Sequence, residues 1–327
     1  MTGIFKQKTP GNIILLLAMG ILLKLPAFFH STGYILKQSD GDLYTHTINF
    51  LKHSTNNNAF TFVIIALAIN FTIAFVLNSF INTERLTTRS NFLTGMAYLL
   101  VTSFLPAFNL LSSNLVVSLL LLGAFTLLYK SYHTRNNLFN AALLIGLASL
   151  FFVPALLFAI WAFLALAILR PFKLSEWLVL LLGLITPYYF YAAYLFLNDH
   201  WVIPDYFNHL SFLSSSITYT AWHAGALFFL LAPLLAGVYY MQANSGKMLT
   251  HVRKGWYLFI GYLVVAIGIA LFDVDKTSEN LLILLVPAAA FHGYGYLNAE
   301  LKLYPKIAFW ATVGFIILNQ VYGTIWH

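Results

Sequence analysis

The side chains able to do chemistry fall in three short stretches. The first runs from Ser39-Asp40-Gly41-Asp42-Leu43-Tyr44 to Lys52-His53. Asp-Gly marks a turn, and from Asp42 onward the spacing is helical. Leu43, Thr47, Ile48 and Leu51 make a softly apolar face, while Asp42, His46, Asn49 and His53 recur at i, i+4, i+7 and i+11 on another. Such a helix lies in a membrane interface with its polar face toward a cavity or water. Aspartate and histidine can bind zinc, but about three helical turns separate Asp42 from His53, too far for one ion, so no metal is expected. The second stretch, Asn198-Asp199-His200-Trp201 through Asp205, Tyr206 and His209, has groups that suit a sugar or a phosphate. Its aromatics equally suit anchoring at the headgroups. In the third, Asp273 to Asn280, acids are favoured at a helix start by the dipole. Glu279 stands at the edge of an apolar run, where ionisable groups are costly and usually functional. Lys24, toward the outer end of the first apolar run, has a stem long enough to snorkel to a lipid phosphate.

The elements that must position these groups are membrane spans. Of 327 residues, 60% are hydrophobic and 8% charged, against about 25% charged in a soluble domain. With no cysteine, disulfides, thiolate metal sites and a thiol nucleophile are excluded. Apolar runs of about 20 residues can cross a bilayer as helices. Eleven are expected, at 11–30, 59–81, 92–108, 113–130, 138–152, 154–170, 175–197, 221–241, 255–273, 279–297 and 306–324. Val153 and Pro154 leave almost no loop between the fifth and sixth, so these form a re-entrant hairpin or one kinked helix. With the amino terminus cytoplasmic, thirteen Lys and Arg fall inside and four (Lys24, Lys37, Lys52, Lys276) outside. That asymmetry accounts for the net charge of +7 without a nucleic-acid partner. The expected fold is all-α: one transmembrane helical bundle over residues 1–327, with outer loops at 31–58, carrying the interfacial helix, and 198–220.

These features together resemble the GT-C superfamily of polytopic membrane glycosyltransferases, and the resemblance covers most of the chain. In that family the first span is followed by an outer loop with an acid and an amphipathic helix. Asp40-Gly41-Asp42-Leu43-Tyr44 fits the acid-x-x-x-Tyr form, with Gly41 where a second acid often stands. A basic turn at Arg135 leads to Gly146-Leu147-Ala148-Ser149-Leu150 and Pro154-Ala155-Leu156-Leu157, similar to the family's G-L-A-x-L span. Glu279-Asn280-Leu281-Leu282-Ile283-Leu284-Leu285-Val286-Pro287 resembles its Glu-containing stretch before L-L-x-L-x-P, with Asn280 in place of the usual Arg.

The resemblance implies a polyprenyl-phosphate-linked sugar donor entering from the outer leaflet, with membrane lipid as surroundings and protein subunits as candidate partners. Asp40 would be the general base on the acceptor hydroxyl, with Asp42 as its alternate; such catalysis contributes about 10²–10⁴-fold. Tyr44 and Glu279 would contact substrate, and Lys37, His46, Lys52, His200 and Lys276 are the candidate phosphate donors. No cofactor is called for. The Lys and Arg asymmetry and the absence of targeting signals, rather than the resemblance, lead to the expectation of a bacterial inner membrane, with the site facing the periplasm. A non-catalytic subunit or scaffold of an envelope assembly is the alternative. A transporter ranks third, because acids and bases sit at span ends rather than at the midplane.

Overall fold

The structure, a computed structural model, describes residues 2–7, 9–29, 33–131, 137–199, 221–273, 277–301 and 303–323. After a single turn, α1 (Thr2–Phe5), the helices are α2 (Pro10–Lys24), α3 (Asp42–Ser54), α4 (Ala59–Thr83), α5 (Leu93–Val101) and α6 (Ser113–Lys130). They continue as α7 (Asn137–Phe151), α8 (Phe158–Leu169), α9 (Leu174–Leu197), α10 (Ala221–Asn244), α11 (Thr250–Phe272), α12 (Leu282–Asn298) and α13 (Tyr304–Tyr322). Among the described residues, seven helices are long and apolar enough to cross a membrane: Gly11–Phe28, Ala59–Thr83, Ser113–Lys130, Leu174–Leu197, Ala221–Lys247, Thr250–Leu271 and Ser278–Asn298. They make this a multi-pass membrane protein. Leu178, Leu182, Ile185 and Phe190 of α9 stand exposed on its surface, where lipid replaces water.

Of the remaining expected runs, 92–108, 138–152 and 154–170 are shorter helices, and 306–324 is the 19-residue α13, which is not among those seven. The run at 92–108 is the nine-residue α5 followed by a 3-10 turn at Pro106–Asn109. At 1.5 Å per residue α5 reaches about 14 Å, less than half the hydrocarbon thickness. Every one of its residues is buried, so protein rather than lipid surrounds it. The Val153-Pro154 junction is neither a kink in one helix nor a bare hairpin. Phe152 is extended, a 3-10 turn at Val153–Leu157 follows, and α8 starts afresh at Phe158. Proline sits at the first turn of that 3-10 segment, where its missing N–H leaves nothing unsatisfied.

The bundle is organised around α12. Every residue from Leu282 to Tyr296 is buried, as expected of a helix apolar on all sides. Lipid offers no hydrophobic force to drive helices together, so close backbone approach at small residues does that work. A Cβ at Gly237 of α10 would overlap the Phe291 carbonyl of α12, and one at Gly295 would come within 3.1 Å of the Gly237 Cα.

Contacts separate two ends of the bundle. At one, the Phe92 amide donates to the Phe5 carbonyl at 2.8 Å, and Trp256 Nε1 donates to the Leu86 carbonyl at 3.2 Å. Arg170 pairs with Glu176 there at 2.9 Å, and Lys254 Nζ donates to the Leu169 carbonyl at 3.1 Å. At the other, residues 33–41, the α6 start, the α7–α8 junction, Asp273 and residues 277–281 converge.

Candidate functional site

The loop before α3 is shaped by three backbone ties. The Ile35 amide donates to the Leu111 carbonyl at 2.9 Å, the Leu111 amide to Gly33 at 3.0 Å, and the Gly41 amide to Phe151 at 2.9 Å. Asp40 also pairs with Phe152 in an isolated antiparallel bridge. The break between α7 and α8 therefore supplies the extended backbone edge on which the loop docks. Gly41 is required there: a Cβ would overlap the Leu150 carbonyl. That steric demand explains why glycine stands beside Asp40.

Helix α3 follows as the spacing requires. Its buried residues are Tyr44 and Ile48, with Leu51 half-buried, while Asp42, His46, Asn49 and His53 are exposed. Thr47, assigned to the softly apolar face, is exposed instead; its hydroxyl donates to the Leu43 carbonyl at 2.7 Å. The Tyr44 hydroxyl reaches the Ile35 and Leu111 carbonyls, both at 3.0 Å. Burial, then the nearby charge of Asp40, raises this phenol well above its usual range. Tyr44 is thus a protonated donor that pins α3 to the loop.

Asp40 accepts from the Lys37 amide at 2.7 Å through Oδ2 and from the Ser113 hydroxyl through Oδ1. The Lys37 side chain, 3% exposed, turns inward: Nζ donates to Asn280 Oδ1 at 2.8 Å and lies 3.7 Å from Glu279 Oε2. Asn280 Oδ1 also accepts from Asn114 Nδ2 at 2.8 Å, and Asn280 Nδ2 donates to Asp273 Oδ2 at 2.7 Å. Ser39 closes the circuit, its hydroxyl donating to the same Asp273 oxygen at 3.2 Å. Lys37, Ser39, Asp40, Ser113, Asn114, Asp273, Glu279 and Asn280 thereby form one polar cluster at the N-terminal end of the central helix. There the helix dipole favours the Glu279 carboxylate. Among the described residues no group of three or more His, Asp or Glu is placed to hold a metal ion.

The structure brings together Asp40, Lys37 and Glu279 of the sequence candidates. It leaves Asp42 apart: this residue is exposed and accepts from the Tyr191 hydroxyl of α9 at 3.1 Å. His46 is exposed on α3, and Lys52 lies toward the far end of that helix, its Nζ 4.4 Å from the centre of the Tyr34 ring. His200 and Lys276, with Trp201, Asp205, Tyr206 and His209, lie outside the described residues. Lys24 does not snorkel. It is 2% exposed and donates to the Thr102 carbonyl at 3.1 Å and Asn109 Oδ1 at 2.6 Å. Ser113 and Asn114 were not among the expected site residues. Their only sequence signal is a polar Ser-Ser-Asn at the start of an apolar run, indistinguishable from an ordinary helix cap; Ser112 does cap α6, accepting from the Leu115 amide at 3.3 Å. Asp273 signalled itself only as part of an acidic turn, and Asn280 as part of that turn and of the Glu279-Asn280 stretch. Comparison with known protein families, characterised proteins and solved structures finds no match to this chain.

Proposed function

We propose that this chain is a GT-C-like membrane glycosyltransferase, moving a sugar from a polyprenyl-phosphate donor to an envelope acceptor. In this reading the chain makes eleven passes with its amino terminus in the cytoplasm. The polar cluster then faces the periplasm of a bacterial inner membrane. One observation carries the reading: Asp40 and Glu279-Asn280, the stretches that resemble the family, lie far apart in the chain and join through Lys37 in one cluster. Asp40 is the general base, oriented by the Lys37 amide and the Ser113 hydroxyl, both donors of the kind a carboxylate accepts. Lys37 positions the loop rather than gripping a phosphate, because Asn280 and Glu279 already engage its ammonium.

The test replaces Asp40 and Asp42 singly with Asn in the native host, at normal membrane levels. Envelope glycans and lipid-linked sugars are then profiled by mass spectrometry against a deletion strain. Asp40→Asn reproduces the deletion's glycan defect with a polyprenyl-phosphate sugar accumulating, whereas Asp42→Asn retains function. Full rescue of the deletion phenotype by Asp40→Asn would overturn the catalytic reading.

That result would favour a non-catalytic subunit or scaffold of an envelope assembly. The inward turn of Lys37 supports this second reading, since a cluster that satisfies itself serves as a structural tie.

A further inference from the structure

A cavity of about 530 Å³ lies between the 102–109 turn, the first half of α10, the end of α11 and the 3-10 turn at Ser278–Leu281. Its size falls within the roughly 300–1,000 Å³ of small-molecule sites. Phe104, Phe108, Leu230 and Leu281 line it, so most of its wall is apolar. Two further lining residues, Leu227 and Leu271, are 46% and 59% exposed. The cavity therefore opens on the surface that also presents Phe228, Leu231 and Leu235 of α10. In a multi-pass membrane protein the medium against that surface is lipid hydrocarbon. Three polar side chains also line it: His223 at the start of α10, and Thr277 and Ser278 next to Glu279.

We infer that this cavity takes the hydrocarbon tail of a single membrane lipid, with the lipid's polar head held by His223, Thr277 and Ser278. Placement beside Ser278 brings that head to the edge of the Asp40–Lys37–Glu279 cluster. The inference deepens the transferase reading by locating its lipid, yet it rests on the cavity and its mouth and needs no turnover. Phospholipid acyl chains and isoprenoid chains share the required chemistry, and the experiment separates them.

The full chain is reconstituted in nanodiscs containing either a diazirine-tailed phosphatidylglycerol or a diazirine-tailed polyprenyl phosphate. After illumination, labelled peptides are mapped by mass spectrometry. Label is expected at 104–108 and 223–230, and the probe that gives it identifies the chain type. Ala226→Trp, which fills the buried floor, and Leu227→Trp, which crowds the exposed mouth, should each abolish that label. Bulk-lipid labelling of α9 at 178–190 should be unchanged. Absence of label at 104–108 and 223–230 overturns the inference, as does label that survives Leu227→Trp in a folded protein. Rescue by Asp40→Asn in the host assay would overturn the transferase and leave these labelling results untouched.

Discussion

The Lys37–Glu279 pair offers the sharpest quantitative test of the cluster. Both side chains are almost wholly enclosed, at 3% and 8% exposure, and the charges are 3.7 Å apart. At an effective dielectric of about 20 their attraction is roughly 4.5 kcal/mol. Desolvation of both ions offsets much of this, so the pair adds little net stability, but breaking it strands one ion. Lys37→Met leaves Glu279 Oε2, which accepts no hydrogen bond among the described residues, without its cation. The expected loss is about 3–5 kcal/mol. Glu279→Gln strands the ammonium instead, which retains its 2.8 Å bond to Asn280, and should lose less. The double variant Lys37→Met/Glu279→Gln removes both charges and should recover a coupling energy of about 1.5–3 kcal/mol. The assay is reversible detergent-induced unfolding of the four proteins, followed by tryptophan fluorescence. If the two single losses simply add in the double variant, the pair does not hold the loop to the central helix, and the argument for an integrated cluster fails.

Other perturbations probe its supports. Gly41→Ala forces the loop off the Leu150 carbonyl, an overpacking expected to cost about 1–3 kcal/mol and to reproduce the Asp40→Asn defect in the glycan profile. Tyr44→Phe removes the donor shared by two carbonyls, costing about 1–3 kcal/mol in the same unfolding assay. The raised Tyr44 phenol also fixes a pH signature. The native state keeps a proton that the unfolded chain releases above its ordinary value of about 10. Its stabilising contribution is therefore intact below that pH and lost as pH rises beyond it. Unfolding free energies measured from pH 8 to 11 should fall at the alkaline end, and Tyr44→Phe should flatten the fall. Gly237→Leu drives a side chain into the Phe291 carbonyl and should abolish folded yield on size-exclusion chromatography.

Much of the architecture was legible because membrane spans announce themselves by length and composition. Helix α3 was legible because Ile48 and Leu51 recur at helical spacing opposite Asp42, His46 and His53, although the expected apolar face held Thr47, which is exposed, and not the buried Tyr44. Three things were not. The α7–α8 break looked like a defect in a span, yet its extended Phe152 is the edge that fixes Asp40. Lys24 looked like an interfacial snorkeller because local hydropathy cannot reveal the Thr102 carbonyl and Asn109 amide that receive it. Ser113 and Asn114 joined the site only through contacts 73 and 166 residues away in sequence, and no periodicity encodes such partners. Asn280, where the resembled family carries Arg, illustrates the same gap. Its carboxamide accepts from Lys37 and donates to Asp273, a bridging role that needs both a donor and an acceptor and that a guanidinium cannot fill.

The 243 residues separating Lys37 from Asn280 bear on how the protein is made. At roughly 5–20 residues per second, the ribosome needs on the order of 12–50 s between synthesising the first partner and the last. Throughout that interval the Lys37 ammonium lacks the carboxylate and carboxamide that later enclose it. The newborn chain must shelter this charge at the membrane surface or against the insertion machinery. A ribosome stalled before residue 279 would release a product that carries the earlier helices, lacks α12 and α13, and leaves Lys37 without Glu279 and Asn280. Such a product offers cellular quality control a chemical mark of incompleteness, and the mark disappears when the chain from Glu279 onward docks.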